Sequence, residues 1–363
     1  MNQETIKKVL VAMSGGVDSA VCAYFIQKQG FLTEGVTMRL WSDSETVADS
    51  DSPIDDQNCL DAKTVAKQLG IPHRSVAFGD TFRKTVIDRF IDDYAKGLTA
   101  NPCVECNKSI KFGKLMEFAQ SNHFDYLATG HYAKIEKSSD GRYLLKKAAD
   151  LSKDQSYFLW SVPKENLARI LLPLGNYTKA QIREIAAAEQ LICAHRSDSQ
   201  DVCFIPNGDY ASFIEKHSDL RFPKGNFIAP DGTVLGTHQG IIRYTVGQRK
   251  GLGIALGYPA FVGCKNIADN TVTLCSDQAL YGDTLTASQI NLLVDDPLDH
   301  PIRAEVKIRY RHTPATATVI RTEEDRISVR FDTPQRAIAP GQSVVLYDGD
   351  TVIGGGVIEP TRN

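Results

Sequence analysis

The segment VLVAMSGGVDSAVCAYF, residues 9–25, constrains the fold more than any other stretch of the chain. It begins with an apolar run that has no polar alternation, the pattern of a strand buried on both faces of a parallel sheet. A helical pattern follows over residues 18–29, with Ala20, Val21, Tyr24 and Phe25 on adjoining faces. Between them lies a Ser-Gly-Gly-x-Asp-Ser loop. Gly15 and Gly16 allow backbone angles that other residues avoid and let amide groups approach an oxyanion closely. Ser14 and Ser19 add hydroxyl donors, and the helix presents its positive end to the same anion. No Gly-Lys-Ser/Thr follows and no G-x-G-x-x-G is present, so the loop is neither a Walker loop nor a dinucleotide fingerprint.

The alternation continues. TEGVTMRL, HRSVAF and DYLATG read as further strands, with helices over 59–69, 81–94 and 109–120. Strand–helix alternation of this kind implies a parallel sheet covered on both faces. KSSDGRYLL reads as a hairpin tip, residues 154–192 as mainly helical with a capping box at Thr178–Gln181, and DYASFIEKH as a short helix. Beyond Gly225 the chain changes to short alternating runs between Gly and Asp turns, which predicts one or two small β-barrels or sandwiches. The acidic stretch SDSETVADSDSPIDDQ has the composition of a mobile loop. As a calcium loop starting at Asp49 it fails, because Ile54 stands where Gly is needed and Leu60 where Glu is needed.

At 363 residues the chain has room for two or three domains of roughly 150 residues each. No apolar run reaches the ~20 residues of a membrane span, and the first residues are too polar for a signal peptide. A cytoplasmic protein with no membrane partner is expected. The net charge is −3, but removing the seven acidic residues between Asp43 and Asp61 turns it into +4. Two basic clusters then become candidates for phosphate binding: Arg243, Arg249 and Lys250, and Arg303, Lys307, Arg309 and Arg311. Arg309 and Arg311 are expected to alternate on a strand and share one face. The plainer reading of both clusters is a solvated strand face.

Eight cysteines are too few for a disulfide scaffold, so a pair that matters is catalytic or metal-binding rather than structural. In NPCVECNKSIKF, residues 101–112, the pair Cys103/Cys106 could be half a metal site, a redox dithiol, packing, or the home of a nucleophile. A tetrahedral metal site needs further ligands, and no second C-x-x-C exists. With Asn107 as a good N-cap, Cys106 is expected at a helix N-terminus near Lys108 and Lys111, where a thiol pKa is depressed. Cys203 lies in a polar loop, SDSQDVCFIPNGDY, of the kind that carries function. Cys22, Cys59, Cys193, Cys264 and Cys275 read as packing residues.

The SGGVDS loop resembles the PP-loop of the N-type ATP pyrophosphatases, which split ATP between the α and β phosphates. Five segments in order, AMSGGVDS, NPCVECNKSIKF, ATGHY, KDQSYFL and TVGQRKGLGI, identify the whole chain as similar to the tRNA-specific 2-thiouridylase family; VKIRYRHT and PGQSVVLYDG also fit. The resemblance implies an N-terminal parallel-sheet PP-loop domain of the adenine nucleotide alpha hydrolase type (1–208), a small central β domain (209–280) and a C-terminal β-barrel (281–363). It implies ATP and Mg2+ as cofactors, the wobble uridine of tRNA Lys, Glu and Gln as target, and a cysteine desulfurase with a sulfur-relay carrier as source of persulfide. Carried over by position, Ala12, Met13, Ser14, Gly15, Gly16, Val17, Asp18, Ser19, Met38 and Gly130 hold ATP, with Asp18 near magnesium. Asn101, Pro102 and Cys103 lie against the target base. His131, Lys153, Asp154, Gln155, Arg309, Tyr310 and Gln342 contact tRNA. Cys203 carries the persulfide, and Cys106 forms a disulfide with it as sulfur is released.

Several plainer roles stand beside these. His131 can be a core-edge histidine satisfied by hydrogen bonds, and Asp154 a helix cap. Family members often carry Asp where this chain has Cys103, which puts an acid/base role at that position in doubt. The competing functions are an iron–sulfur-dependent or amidating PP-loop enzyme and a tRNA-binding protein without catalysis.

Overall fold

A computed structural model describes residues 6–41, 57–196, 202–205 and 207–360. Most of the acidic stretch and the Ser/Asp/Gln-rich side of the Cys203 loop lie outside the described residues. Contacts divide the chain into two compact units: residues 1–86, 103–200 and 350–352 form one, and 87–102, 201–349 and 353–363 the other. No helix among the described residues is long and apolar enough to cross a membrane.

The first unit runs β1 (Lys8–Ala12), α1 (Val17–Lys28), β2 (Leu32–Arg39), α2 (Gln57–Leu69), β3 (His73–Ala77) and α3 (Gly79–Phe82), then a π-helical segment Arg83–Ile87 that leads into α4 (Asp88–Ala95) of the second unit. After α5 (Pro102–Glu105), a π-helical Cys106–Lys114 and α6 (Leu115–Ser121) come β4 (Tyr126–Ala128), the hairpin β5 (Lys134–Lys137) and β6 (Tyr143–Lys146), β7 (Ile170–Leu171) and α7 (Lys179–Ala188). The sheet order is β3-β2-β1-β4-β7, with parallel pairing throughout. Val9 and Val11 enter the core built with α1, α2 and α7, while Leu10, pointing the other way, is equally buried. β1 is therefore covered on both faces, as its unbroken apolar run predicts.

Three local readings are corrected. Within residues 154–192 the helical turns before Lys179 are short 3-10 segments (Ser156–Phe158, Lys164–Arg169, Pro173–Asn176) broken by β7, and only Lys179–Ala188 forms an α-helix. It starts with the expected capping box, Thr178 accepting from the Gln181 amide. The helix read over 109–120 begins seven residues earlier, at Pro102, because proline's fixed φ and missing amide suit the first helical turn. Asn107 is therefore no cap. It is buried inside the helix, and its Nδ2 donates to the Phe158 carbonyl at 3.0 Å. The π-helical stretch exists partly because Gly113 has no Cβ, which would lie 2.8 Å from the Lys108 carbonyl oxygen.

In the second unit, α8 (Tyr210–Lys216) precedes β8 (Gly225–Ile228), β9 (Val234–His238), β10 (Phe261–Asn266) and β11 (Thr271–Cys275), which form a sheet ordered β10-β11-β8-β9. Then β12 (Tyr281–Leu292), β13 (Ile302–Lys307), β14 (Ala315–Glu323), β15 (Arg326–Arg336), β16 (Ser343–Asp348) and β17 (Thr351–Ile358) form an antiparallel barrel in the order β12-β15-β14-β13-β16-β17. It closes through pairing of β12 with β17, which removes the edges. Ala287, Val306, Val319, Val329, Leu346 and Ile353 fill it. The fold is thus the N-terminal parallel sheet, central β domain and C-terminal closed barrel expected from the sequence.

Candidate active site

The loop between β1 and α1 forms at the carboxyl end of the sheet, where open α/β sheets bind ligands. Gly15 has φ +75°, and a Cβ on it would sit 2.8 Å from Cβ of Asp61. Gly16 is extended at φ −86°, so only the first glycine uses the left-handed freedom both were expected to need. Gly16 is the N-cap of α1 and offers no side chain to its first amides, which leaves that end suited to an anion. Ser19 organises the loop: its Oγ accepts from the Ser14 amide at 3.1 Å and donates to the Gly16 carbonyl at 3.0 Å. Gly130, just after β4, packs onto the same helix end; a Cβ there would lie 2.8 Å from the Asp18 carbonyl carbon. Met13 is buried, and its carbonyl accepts from Thr37 Oγ1 at 2.9 Å, next to Met38 on β2. The structure thus gathers Ala12–Ser19 and Gly130 around one helix N-terminus.

Three residues beside this loop were not singled out in the sequence. Lys179, first residue of α7, donates to Asp18 Oδ1 at 2.7 Å and Oδ2 at 2.8 Å. The Tyr132 hydroxyl donates to Asp18 Oδ1 at 2.8 Å. Arg196 donates to the Gly15 carbonyl at 3.2 Å and forms an ion pair with Asp61. The capping box announced where α7 starts, but nothing in the sequence announced that α7 packs on α1.

Cys103 and Cys106 both lie on the helix that starts at Pro102, Cys103 exposed and Cys106 buried. Cys106 stands in the second turn, so the placement at a helix N-terminus that was to depress its thiol pKa does not hold. Surrounding atoms push the Cys103 thiol up and Lys111 opposes them; exposure to water tempers the push. Cys203 is exposed in a turn of the second unit. Its neighbour Phe204 is buried in an aromatic cluster, edge-on to Phe90 of α4 at 5.5 Å and 5.2 Å from Phe213 of α8. Cys22, Cys59, Cys193 and Cys275 are buried as expected, but Cys264 is exposed, because it alternates outward on β10.

His131 is buried with Thr129 Oγ1 2.7 Å from Nδ1 and Lys111 Nζ 3.4 Å from Nε2. Desolvation, and then the Lys111 charge, hold its pKa well below the ordinary histidine value, so the ring is neutral. These are the bonds of a core-edge histidine. Asp154 is also buried, accepting from the Ala148 amide at 2.9 Å and the Ser156 hydroxyl at 2.7 Å, an internal loop anchor rather than the cap of an α-helix. Gln155 Oε1 accepts from the Tyr132 amide at 2.9 Å, which ties the KDQ segment to the strand end carrying His131; Lys153 beside it is exposed.

Arg309 and Arg311 do not alternate on a strand. β13 ends at Lys307, and a turn follows in which the His312 amide donates to the Arg309 carbonyl at 3.0 Å. Arg309 donates to the Arg336 carbonyl at 2.9 Å, and Lys307 lies over the Tyr310 ring at 5.6 Å. Arg303 is paired with Asp332 and Arg243 with Glu215, which removes both from their clusters as uncompensated charges. Gln342 is half-buried ahead of β16.

The family model described as the tRNA methyl transferase HUP domain matches residues 7–207, the tRNA methyl transferase PRC-barrel domain 211–276, and the aminomethyltransferase beta-barrel domain 282–358. The tRNA-specific 2-thiouridylase MnmA of Clostridioides difficile is 47% identical over 354 residues, covering 97% of this chain and 98% of that protein. The protein of the same name from Acetivibrio thermocellus is 46% identical over 360 residues, covering 97% and 99%. This chain belongs to the tRNA-specific 2-thiouridylase family. Membership implies ATP as a ligand of the N-terminal HUP domain.

Proposed function

We propose that the chain is an ATP-dependent tRNA uridine 2-sulfurtransferase acting on the wobble uridine of tRNA Lys, Glu and Gln. The observation that carries this reading is the anion cradle at Gly15 and Gly130 on a chain that also bears Cys106 and Cys203. The family descriptions speak of methyl transfer and the relatives' names of 2-thiouridylation. The cradle and the two thiols favour the second, since methyl transfer has no use for splitting a nucleotide.

The chemistry follows from the residues. The cradle holds the pyrophosphate end of ATP while the C2 oxygen of uracil attacks the α phosphorus; pyrophosphate leaves and the oxygen carries AMP. A uracil oxygen is a poor leaving group, and adenylation makes it a good one. Asp18 would hold a magnesium ion only by exchanging its Lys179 and Tyr132 partners for it, and the ion would then neutralise phosphate charge. The terminal sulfur of a Cys203 persulfide then attacks C2 and AMP departs. Cys106 thiolate takes the inner sulfur to form the Cys106–Cys203 disulfide, leaving one sulfur atom on the base and two electrons to be restored by a reductant. Asn101, Pro102 and Cys103 lie against the base, which a splayed anticodon loop presents unstacked. Lys153, Arg309 and Tyr310 take the RNA backbone, in a salt-sensitive way, while the buried His131 and Asp154 hold the segments beside them in place. A cysteine desulfurase and carrier supply persulfide, the reaction runs in the cytoplasm, and the division at 208/209 and 280/281 separates catalysis from the RNA-holding β domains.

Incubation with ATP, a persulfide donor and unmodified tRNA, followed by a mercury-containing gel, tests the reading. Retarded tRNA that depends on ATP is the expected result. Unretarded tRNA with an active donor overturns it in favour of binding without catalysis.

A further inference from the structure

The residues just ahead of the Asn101–Pro102 turn are gripped by the loop that enters β16. Gln342 Nε2 donates to the Thr99 carbonyl at 3.1 Å and to the Ala100 carbonyl at 3.3 Å. The Thr99 amide donates to the Pro340 carbonyl at 2.7 Å. Gly341 between them has φ +88°, and a Cβ on it would stand 2.8 Å from both Leu98 Cβ and the Thr99 nitrogen. The gripping loop is itself fixed to β17, with the Gly341 amide donating to the Ile358 carbonyl at 2.8 Å and the Ile358 amide to the Gln342 carbonyl at 2.9 Å. Three consecutive residues of the barrel therefore hold three consecutive residues, Leu98 to Ala100, by hydrogen bonds and by a contact only glycine permits.

We propose that Pro340–Gly341–Gln342 is a clamp that sets the position of the Asn101–Pro102 turn, which makes Gln342 a positioning residue for sulfur transfer. The proposal rests on the functional reading above, in that Asn101 and Pro102 face the target base. Position matters there because a reacting base must sit within a narrow range of distance and angle, and displacement of about 1 Å costs on the order of a hundredfold in rate. Gln342 spends both N–H groups on two carbonyls that have no other donor in the clamp. An RNA contact alone would leave those donors for phosphate or base. The barrel then does more than hold RNA: it fixes the geometry of the turn that meets the base.

Gln342→Met keeps side-chain length and removes both donors; Gln342→Ala removes the side chain as well. Three measurements are made on the full chain: hydrogen exchange of the amides over 98–103 without RNA, kcat and KM for unmodified tRNA, and the thermal midpoint. In both variants exchange should rise over 98–101 with the barrel strands unchanged. kcat should fall at least ~10-fold while KM for tRNA stays within about twofold, the pattern of lost positioning rather than lost binding. Unchanged exchange overturns the clamp, and so does a raised KM with kcat intact, which would make Gln342 an RNA contact. Should one variant unfold, the other decides. If the unaltered protein fails to thiolate tRNA, the functional reading falls, while hydrogen exchange still decides whether the clamp exists.

Discussion

Lys179 donates to both carboxylate oxygens of Asp18, at 2.7 and 2.8 Å, and so joins the first turn of α7 to the first turn of α1 beside the Ser14–Gly16 loop. The Lys179 side chain is 11% exposed and that of Asp18 35%, so water screens the pair from the carboxylate side. Lys179→Met should destabilise the protein by about 1 kcal/mol, since Asp18 keeps the Tyr132 hydroxyl and water as partners. It should also weaken ATP binding about tenfold, because the cation next to the phosphate cradle is gone. Calorimetric titration with ATP and a thermal melt check the two effects separately; unchanged ATP affinity would confine Lys179 to a packing role.

Gly15 is held left-handed with Asp61 Cβ in the place its own Cβ would need. Gly15→Ala therefore carries backbone strain of order 1–3 kcal/mol and forces α2 away from the loop. Gly16→Ala, at φ −86°, carries no such strain. A nucleotide-binding titration should show near-complete loss for the first variant and a much smaller loss for the second. Equal losses would mean that the cradle depends on the absence of side chains rather than on the left-handed turn.

The parts of this site that were legible in the sequence are those that short-range physics determines. Val9–Ala12 must be a buried strand because nothing along it is polar, and Gly15 marks the turn because other residues resist its angles. The Thr178–Gln181 box announced a helix start for the same reason. What was illegible depends on residues far apart in the chain. Lys179 matters through Asp18, 161 positions away, and Asn107 through Phe158, 51 positions away. Asn107 misled because asparagine caps well in isolation, whereas Pro102 had already opened the helix. Arg309 and Arg311 misled because an alternating pattern does not report where a strand stops.

The three cysteines of the proposed chemistry should separate cleanly on substitution. Cys103 is exposed, and its crowding does not favour the thiolate, so Cys103→Ser should retain measurable thiolation. Cys106→Ser and Cys203→Ser should abolish it, since neither serine can join the disulfide that releases the sulfur. Serine is close enough in size that the buried Cys106 position should tolerate it without unfolding. Mercury-gel retardation of tRNA reads all three, with circular dichroism as the folding control. Full activity without Cys203, or loss of activity only without Cys103, would reassign the nucleophile.

Lys265 offers a test of stability that is independent of catalysis. Its Nζ is buried with no hydrogen-bond partner among the described residues and lies 5.9 Å from the centre of the Tyr94 ring. Burial lowers its pKa from 10.5 to about 8. Because the folded value is the lower one, the unfolded chain binds more protons between about 8 and 10.5, and below that range the ammonium carried inside opposes folding by a constant amount. Stability should rise as pH goes from about 8 to about 10.5 and be flat in this term below 8. The cost of holding the ammonium inside is about 3 kcal/mol by linkage, partly offset by attraction to the ring face. Lys265→Met keeps the stem and removes the charge, so it should raise the thermal midpoint at pH 7 by several degrees and flatten the rise toward pH 10. Urea unfolding at pH 7 and pH 9.5 compares the two proteins directly. If the variant is less stable at pH 7, the ring–cation contact outweighs desolvation, and Lys265 is an anchor rather than a strained group.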